Sequence, residues 1–287
     1  MNLLYESLRT QWSAAKGNPL VFVLLICSAT EVLFTGSRNH ILIKAVSYLV
    51  AMWLCSLLAD MWVLRRRTGP EDFPVKKPLQ ETIYAVLCTL LGILFLVFRY
   101  MLLDWNNTGG LIKLAVLPLI LFVFPIVLGL IMLLYKYKLK DLGFRASVSI
   151  LLALPVISIT AIAAYLAARG NFTFQAVYRE TGGVAGLLFE GFIVAALPEE
   201  FTRMILQTRL GALFKNKGFG WFLASFIWAC LHIPNFYSQN HDLSGAMVGA
   251  LRILPLGLMW GYMTFRTKSI FPAIIAHGFN MWGLQNF

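Results

Sequence analysis

Charge is scarce in this 287-residue chain. Asp, Glu, Lys and Arg make up 13% of it, and 59% is hydrophobic. Soluble domains carry about 25% charged residues, so the balance excludes an ordinary soluble enzyme. Acids are scarcer still, 13 against 24 Lys and Arg. A basic excess suits a nucleic-acid binder only when the cations gather on one polar face. Here they fall in short loops between apolar runs, as in Arg65-Arg66-Arg67, Lys76-Lys77, Lys136-x-Lys138-x-Lys140 and Arg266-x-Lys268. That is the positive-inside pattern of a membrane protein, and no nucleic-acid partner is expected. The four cysteines, Cys27, Cys55, Cys88 and Cys230, lie within apolar runs without paired spacing. This argues against a disulfide framework or a cysteine metal site and reads as small buried hydrophobes. No internal repeat or low-complexity segment is present. No A-x-A site follows the first apolar run, so that run reads as a retained helix rather than a signal peptide.

What the chain has in abundance is apolar sequence of spanning length, about 20 residues. The runs predict an all-α, polytopic transmembrane helix bundle of about nine spanning segments, near 19–36, 41–63, 82–103, 111–135, 147–168, 183–209, 219–237, 244–265 and 269–285. Basic and non-basic loops alternate from the second segment onward. That predicts a multi-pass protein of the cell membrane with a cytoplasmic N-terminus and an outside C-terminus. The longest polar stretch, 64–81, reads as a cytoplasmic loop.

Against that background a few polar residues stand out. Glu199, Glu200 and Arg203 interrupt the run Phe192-Ile193-Val194-Ala195-Ala196-Leu197-Pro198 and its continuation Met204-Ile205-Leu206. A charge at a helix centre costs about 2.5–3.5 kcal/mol on insertion scales and marks a functional site by default. Glu199 and Arg203 are four apart and predict a pair on one helix face; Glu200 points about 100° away. Pro198 frees the carbonyl of Val194 and predicts a kink or hydrated break. His232 and His277, two of only four histidines, sit in apolar runs, and Asn280 shares a helix face with His277. The predicted spans put Glu199, His232 and His277 at similar depth, roughly 12–20 Å from the cytoplasmic side at 1.5 Å per residue. A desolvated carboxylate can serve as a general base toward water, with imidazole and amide donating to a developing oxyanion. Alternatively Glu199, His232 and His277 can hold a divalent metal such as zinc with one open position. The plainer readings are a solvated ion pair at a helix end, a structural histidine and an asparagine joining helices. Elsewhere, Asp60 is expected to pair with Arg65-Arg66-Arg67, Arg99 to reach outward, and Glu190 to pair with Arg252 at similar depth. His40 and His241 fall in loops.

These residues resemble the CPBP intramembrane proteases, also called type II CAAX protease-like, bacteriocin-processing or Abi. That family's pattern is Glu-Glu-x-x-x-Arg, then Phe-x-x-x-His, then His with Asn three or four residues on. Here it reads Glu199-Glu200-Phe201-Thr202-Arg203, Trp228-x-x-x-His232 and His277-Gly278-Phe279-Asn280, with Gly261–Ala273 similar to the lead-in of the last motif. Arg203 stands one residue nearer the acids than the pattern has it, and Trp228 replaces Phe, a change read as one of packing. The resemblance divides the chain into N-terminal transmembrane helices without specific signal, 1–180, and a peptidase core, 181–287, with the site in the C-terminal helices. It implies an endopeptidase acting on a protein or peptide substrate, lipidated in part of the family. Glu199 would activate water, Glu200 and Arg203 would support it, and His232, His277 and Asn280 would polarise the scissile carbonyl or hold a metal. The alternative from another class is a non-catalytic membrane protein, an inactive homologue, scaffold or transporter.

Overall fold

The computed structural model describes residues 3–65, 72–102, 124–145, 150–167 and 183–280, and these are all-helical with no strand among them. In chain order the helices are α1 (Leu3–Gly17), α2 (Pro19–Arg38), α3 (Leu42–Arg65), α4 (Pro78–Val97), α5 (Phe124–Leu134), α6 (Ile150–Ala167), α7 (Val184–Leu188), α8 (Leu197–Leu213), α9 (Lys217–Cys230), α10 (Ile233–Asn240), α11 (Leu243–Thr267) and α12 (Phe271–Gly278). A π-helical turn, Phe98–Leu102, prolongs α4, and a longer one, Phe189–Ala196, joins α7 to α8. Local chemistry sets the boundaries. Proline opens α2 and α4, where its missing N–H costs nothing. Asn216 caps α9 by accepting from the Phe219 amide at 3.0 Å, and Asp242 caps α11 by accepting from Ser244 and Gly245, both at 3.0 Å. The break expected at Pro198 takes the form of the π-helical segment, which returns to α geometry at Leu197, beside the acids. Such bulges relieve a ladder that proline interrupts.

Among the described residues five helices are long and apolar enough to cross a membrane: Val21–Arg38, Leu42–Arg65, Pro78–Tyr100, Lys217–Gln239 and Leu243–Thr267. They coincide with five of the nine expected segments, and the protein is a multi-pass membrane bundle; nine crossings are not established. The expected 147–168 holds the helix α6, Ile150–Ala167, with Leu152–Ala163 as its apolar stretch among the described residues. The expected 183–209 carries too many charges to qualify as a simple span, and 269–285 holds the eight-residue α12. Much of 111–135 and the end of 269–285 lie outside the described residues.

Large apolar side chains such as Phe22, Phe34, Trp53, Leu94 and Leu134 remain exposed, as a lipid-facing surface requires. Two buried clusters form the interior. One joins α2, α3 and α6 to α9, α11 and α12 through residues such as Tyr48, Leu152, Trp228 and Trp260. The other joins α4 and α5 to α8 through Cys88, Met132, Phe201 and Leu206. The acids of α8 lie at the seam between them. α8 and α9 form a tight hairpin: a Cβ on Gly220 would come within 2.3 Å of the Gly211 amide nitrogen, so the two backbones touch through small residues.

Proline inside α11 creates a defect that the N-terminal helices repair. Pro255 offers no N–H to the Leu251 carbonyl, and Ser28 of α2 donates to that oxygen at 2.9 Å instead. Tyr48 of α3 inserts its hydroxyl into the next rung, donating to Arg252 at 3.0 Å and accepting from the Leu256 amide at 3.2 Å.

Several charges differ from expectation. Of the arginines expected to pair with Asp60, Arg66 and Arg67 lie outside the described residues, and the partner seen is a different one. Asp60 is fully buried, paired with Arg266 of α11 at 2.6 Å, and accepts from Tyr262 and Gln11 at 2.9 and 3.0 Å. Arg99 is half-buried and lines a cavity. The Glu190–Arg252 pair is not among the ion pairs of the described residues: Glu190 is exposed on the π-helical segment, while Arg252 is half-buried in α11. Depth alone did not put the two on facing surfaces. Cys55 and Cys88 are buried as expected, but Cys27 is exposed.

Glu81 and Arg209 went unremarked in the sequence yet form the strongest tie between α4 and α8. Their side chains are fully buried, 3.0 Å apart, and Glu81 also accepts from Tyr137 at 2.8 Å and from the Lys77 amide at 2.8 Å. Arg209→Met strands a buried carboxylate and is expected to destabilise the protein by about 3–5 kcal/mol. The exposed bridge of Asp72 to Lys217 and Lys268, at 2.7 and 2.8 Å, is the contrast. Those lysines hold the Asp72 carboxyl down to about 2. A depressed carboxyl contributes stability above its unfolded value near pH 4 and loses it as pH falls through about 2. Solvent screening keeps that contribution below about 1 kcal/mol, so Asp72→Asn is expected to be nearly silent at neutral pH. Unfolding of both variants in detergent checks the ranking.

Candidate active site

The π-to-α transition sets the direction of the acids at the start of α8. Adjacent residues diverge by about 100° on a helix, and the two carboxylates accordingly meet different surroundings. Glu200 turns inward and is 1% exposed. It pairs with Arg203 one turn on and accepts from Nδ1 of His277 at 2.9 Å. Glu199 turns toward a cavity of about 310 Å³ whose wall includes Thr202, Trp228, His232, Asn235 and Arg99. Its side chain keeps 25% of its surface.

The expected i,i+4 pair of Glu199 with Arg203 is therefore not formed. Arg203 instead takes Glu200 at i,i+3, donates to the Gly257 carbonyl at 3.1 Å, and lies with its guanidinium 5.5 and 5.8 Å from the rings of Trp228 and Trp260. A buried guanidinium so held satisfies its donors in several directions at once. What Glu199 does receive is the indole N–H of Trp228, at 2.6 Å to Oε2. Replacing phenylalanine by tryptophan in this motif is thus more than a packing change.

His232 lies at the turn between α9 and α10, where Pro234 starts the next helix. Its Nδ1 is 3.0 Å from the Trp228 carbonyl. A carbonyl only accepts, so Nδ1 carries the proton and Nε2 is the nitrogen left for chemistry. In His277, Nδ1 is likewise committed to Glu200, the ring stacks on Trp260 at 3.9 Å, and Nε2 is 3.8 Å from Glu199 Oε2. The fold thus brings Glu199, Glu200, Arg203, His232 and His277 around Trp228, whose ring is 4.7 and 6.1 Å from the two imidazoles. Asn280 is buried one turn beyond His277. Among the described residues neither His277 nor Asn280 forms part of the cavity wall.

The metal reading fares differently. Among the described residues no three His, Cys, Asp or Glu side chains are placed to hold one metal ion. Glu199, His232 and His277 are near one another but each imidazole has its own anchor, a backbone carbonyl in one case and Glu200 with Trp260 in the other.

Three residues of the site were missed from sequence: Trp228 as a donor, and Asn235 and Arg99 as cavity lining. Asn235 follows His232 by three residues, the same spacing as Asn280 after His277, which is the one sequence signal that could have marked it. Arg99 could have been found only by doubting that a cation near a segment end faces outward.

Comparison with curated proteins and with solved structures gives no significant match. The family comparison is specific: residues 181–283 match the model described as Type II CAAX prenyl endopeptidase Rce1-like. That segment runs from just before α7 past the end of α12 and takes in the acids, histidines, Arg203, Trp228, Asn235 and Asn280, while Arg99 and the rest of the cavity wall from α4 and α5 lie outside it. The C-terminal part of this membrane protein is thus similar to Rce1-like domains, a likeness consistent with the CAAX protease-like (CPBP) family of membrane proteases.

Proposed function

We propose that the protein is an intramembrane endopeptidase in which Glu199 activates water. The observation that carries the reading is the division between the two acids: Glu200 is locked to Arg203 and His277, while Glu199 alone reaches the cavity, next to His232. Glu199 Oε1 takes a proton from water as its oxygen bonds to the scissile carbonyl carbon. His232, its Nδ1–H held by the Trp228 carbonyl, presents Nε2 to the oxyanion and donates to it when the ring carries a second proton. The proton held by Glu199 then passes to the leaving nitrogen as the C–N bond breaks. Glu200 and Arg203 position the start of α8, and His277 and Asn280 support the site from α12. The peptidase unit is 181–287, with 1–180 as its helical frame. The substrate is a protein whose C-terminal segment carries a prenyl group, which is the chemistry named by the matching family and suits a mainly apolar cavity. Loop charge sets the N-terminus in the cytoplasm.

The test uses purified protein in detergent and a fluorescent prenylated C-terminal peptide. Glu199→Gln and His232→Ala are each expected to lose hydrolysis while the protein still inserts, about 10²–10⁴-fold for the base. Retention of more than about a tenth of wild-type activity in both overturns the reading, because removal of a general base cannot be so mild. Unmodified peptide run alongside reports whether the prenyl group is required.

Glu200→Gln separates the acids by a different measurement. It leaves Arg203 buried without its counter-charge, so the unfolding free energy in detergent is expected to fall by about 3–5 kcal/mol. Glu199→Gln, on a partly exposed acid, is expected to leave the unfolding midpoint near wild type. A Glu200 variant as stable as wild type but wholly inactive exchanges the two roles.

A further inference from the structure

We infer that Trp228 is the positioning residue of the base: its indole N–H fixes one oxygen of Glu199 and leaves the other facing the cavity. This rests on the peptidase reading above. Nε1 of Trp228 stands 2.6 Å from Oε2 of Glu199, the distance of a strong charge-assisted bond. Oε1 has no hydrogen bond among the described residues. A glutamate side chain that is 25% exposed otherwise rotates its carboxylate broadly. The bond removes that freedom and assigns a different task to each oxygen.

The donor itself cannot swing away. Trp228 is 4% exposed. Its ring meets Trp260 edge-on at 5.5 Å, His232 at 4.7 Å and His277 at 6.1 Å, with the Arg203 guanidinium 5.5 Å away. On another edge, a Cβ on Gly257 would come within 2.5 Å of Cε3, so glycine there lets α11 close directly on the indole. A buried indole N–H needs an acceptor, and the one this cage offers is the acid at the cavity. Phenylalanine would fill most of the same space and supply no donor.

Two measurements decide it. The first needs no turnover. In protein labelled with ¹⁵N-tryptophan in detergent, the Trp228 indole resonance, identified by its loss in Trp228→Phe, is expected to move upfield in Glu199→Gln and further in Glu199→Ala. A resonance unmoved in both overturns the inference. The second is kinetic. Trp228→Phe is expected to lower kcat about tenfold with KM little changed, the loss of one hydrogen bond to a charged group. In the Glu199→Gln background the same substitution is expected to cost less than about twofold, since the group it acts through is gone. Equal losses in both backgrounds, or a loss confined to KM or to the unfolding temperature, overturn it. Should Trp228→Phe fail to fold, 3-benzothienylalanine at 228 keeps the bicyclic ring and removes only the N–H, and the same outcomes apply. A wild-type protein that hydrolyses no peptide refutes the peptidase reading alone, because the indole resonance still reports the bond.

Discussion

The buried pair of Glu200 and Arg203 is the constraint on which the site depends. Either charge alone would be untenable in so apolar a setting, and together they still leave donors and lone pairs to satisfy. The protein meets that need with parts of three other helices. Gly257 and Trp260 of α11, Trp228 of α9 and His277 of α12 all touch the pair. The ion pair is thus less a source of stability than a condition that four helices must meet together.

Once Glu200 is committed inward, helix geometry decides where Glu199 goes. The neighbouring side chain must leave the helix about 100° away, which takes it out of direct pairing with Arg203 and toward the cavity. Two identical residues side by side thereby acquire unlike surroundings without any difference in local sequence. Trp228 connects them: its ring lies beside the Arg203 guanidinium that holds one acid, while its N–H holds the other.

Some of this was legible in the sequence and some was not, for physical reasons. Charges in an apolar run are costly, so Glu199, Glu200, Arg203, His232 and His277 announced themselves by composition, and helical spacing placed them at a shared depth. Which acid Arg203 chooses was not legible, because i,i+3 and i,i+4 are both within reach and tertiary partners decide. Spacing pointed to Glu199, whereas the Gly257 carbonyl and the two tryptophans pull the guanidinium to the side where Glu200 lies. The pairing of Asp60 with Arg266 was not legible for the same reason: the two are 206 residues apart, and only the fold brings them together. Glu81 and Arg209 were overlooked because each sits toward the end of its apolar run, where a charge is ordinarily solvated. The long, capped helices were legible from apolar length. The count of crossings is not established by the described residues, since α8 interrupts its run with charges and the end of the expected 269–285 lies outside them.

The repair of α11 at Pro255 bears on how the chain can be divided. The segment that matches the family begins at residue 181, which suggests a unit that could be cut out and moved. Yet α11, the longest helix of that segment, obtains one missing hydrogen bond from Ser28 and a bridged one from Tyr48, both far upstream. Excised, it would present bare carbonyls to lipid, where no water can take the place of those hydroxyls. In a chimaera, the minimal transplantable piece is therefore set by backbone hydrogen-bond accounting rather than by sequence similarity, and it includes α2 and α3.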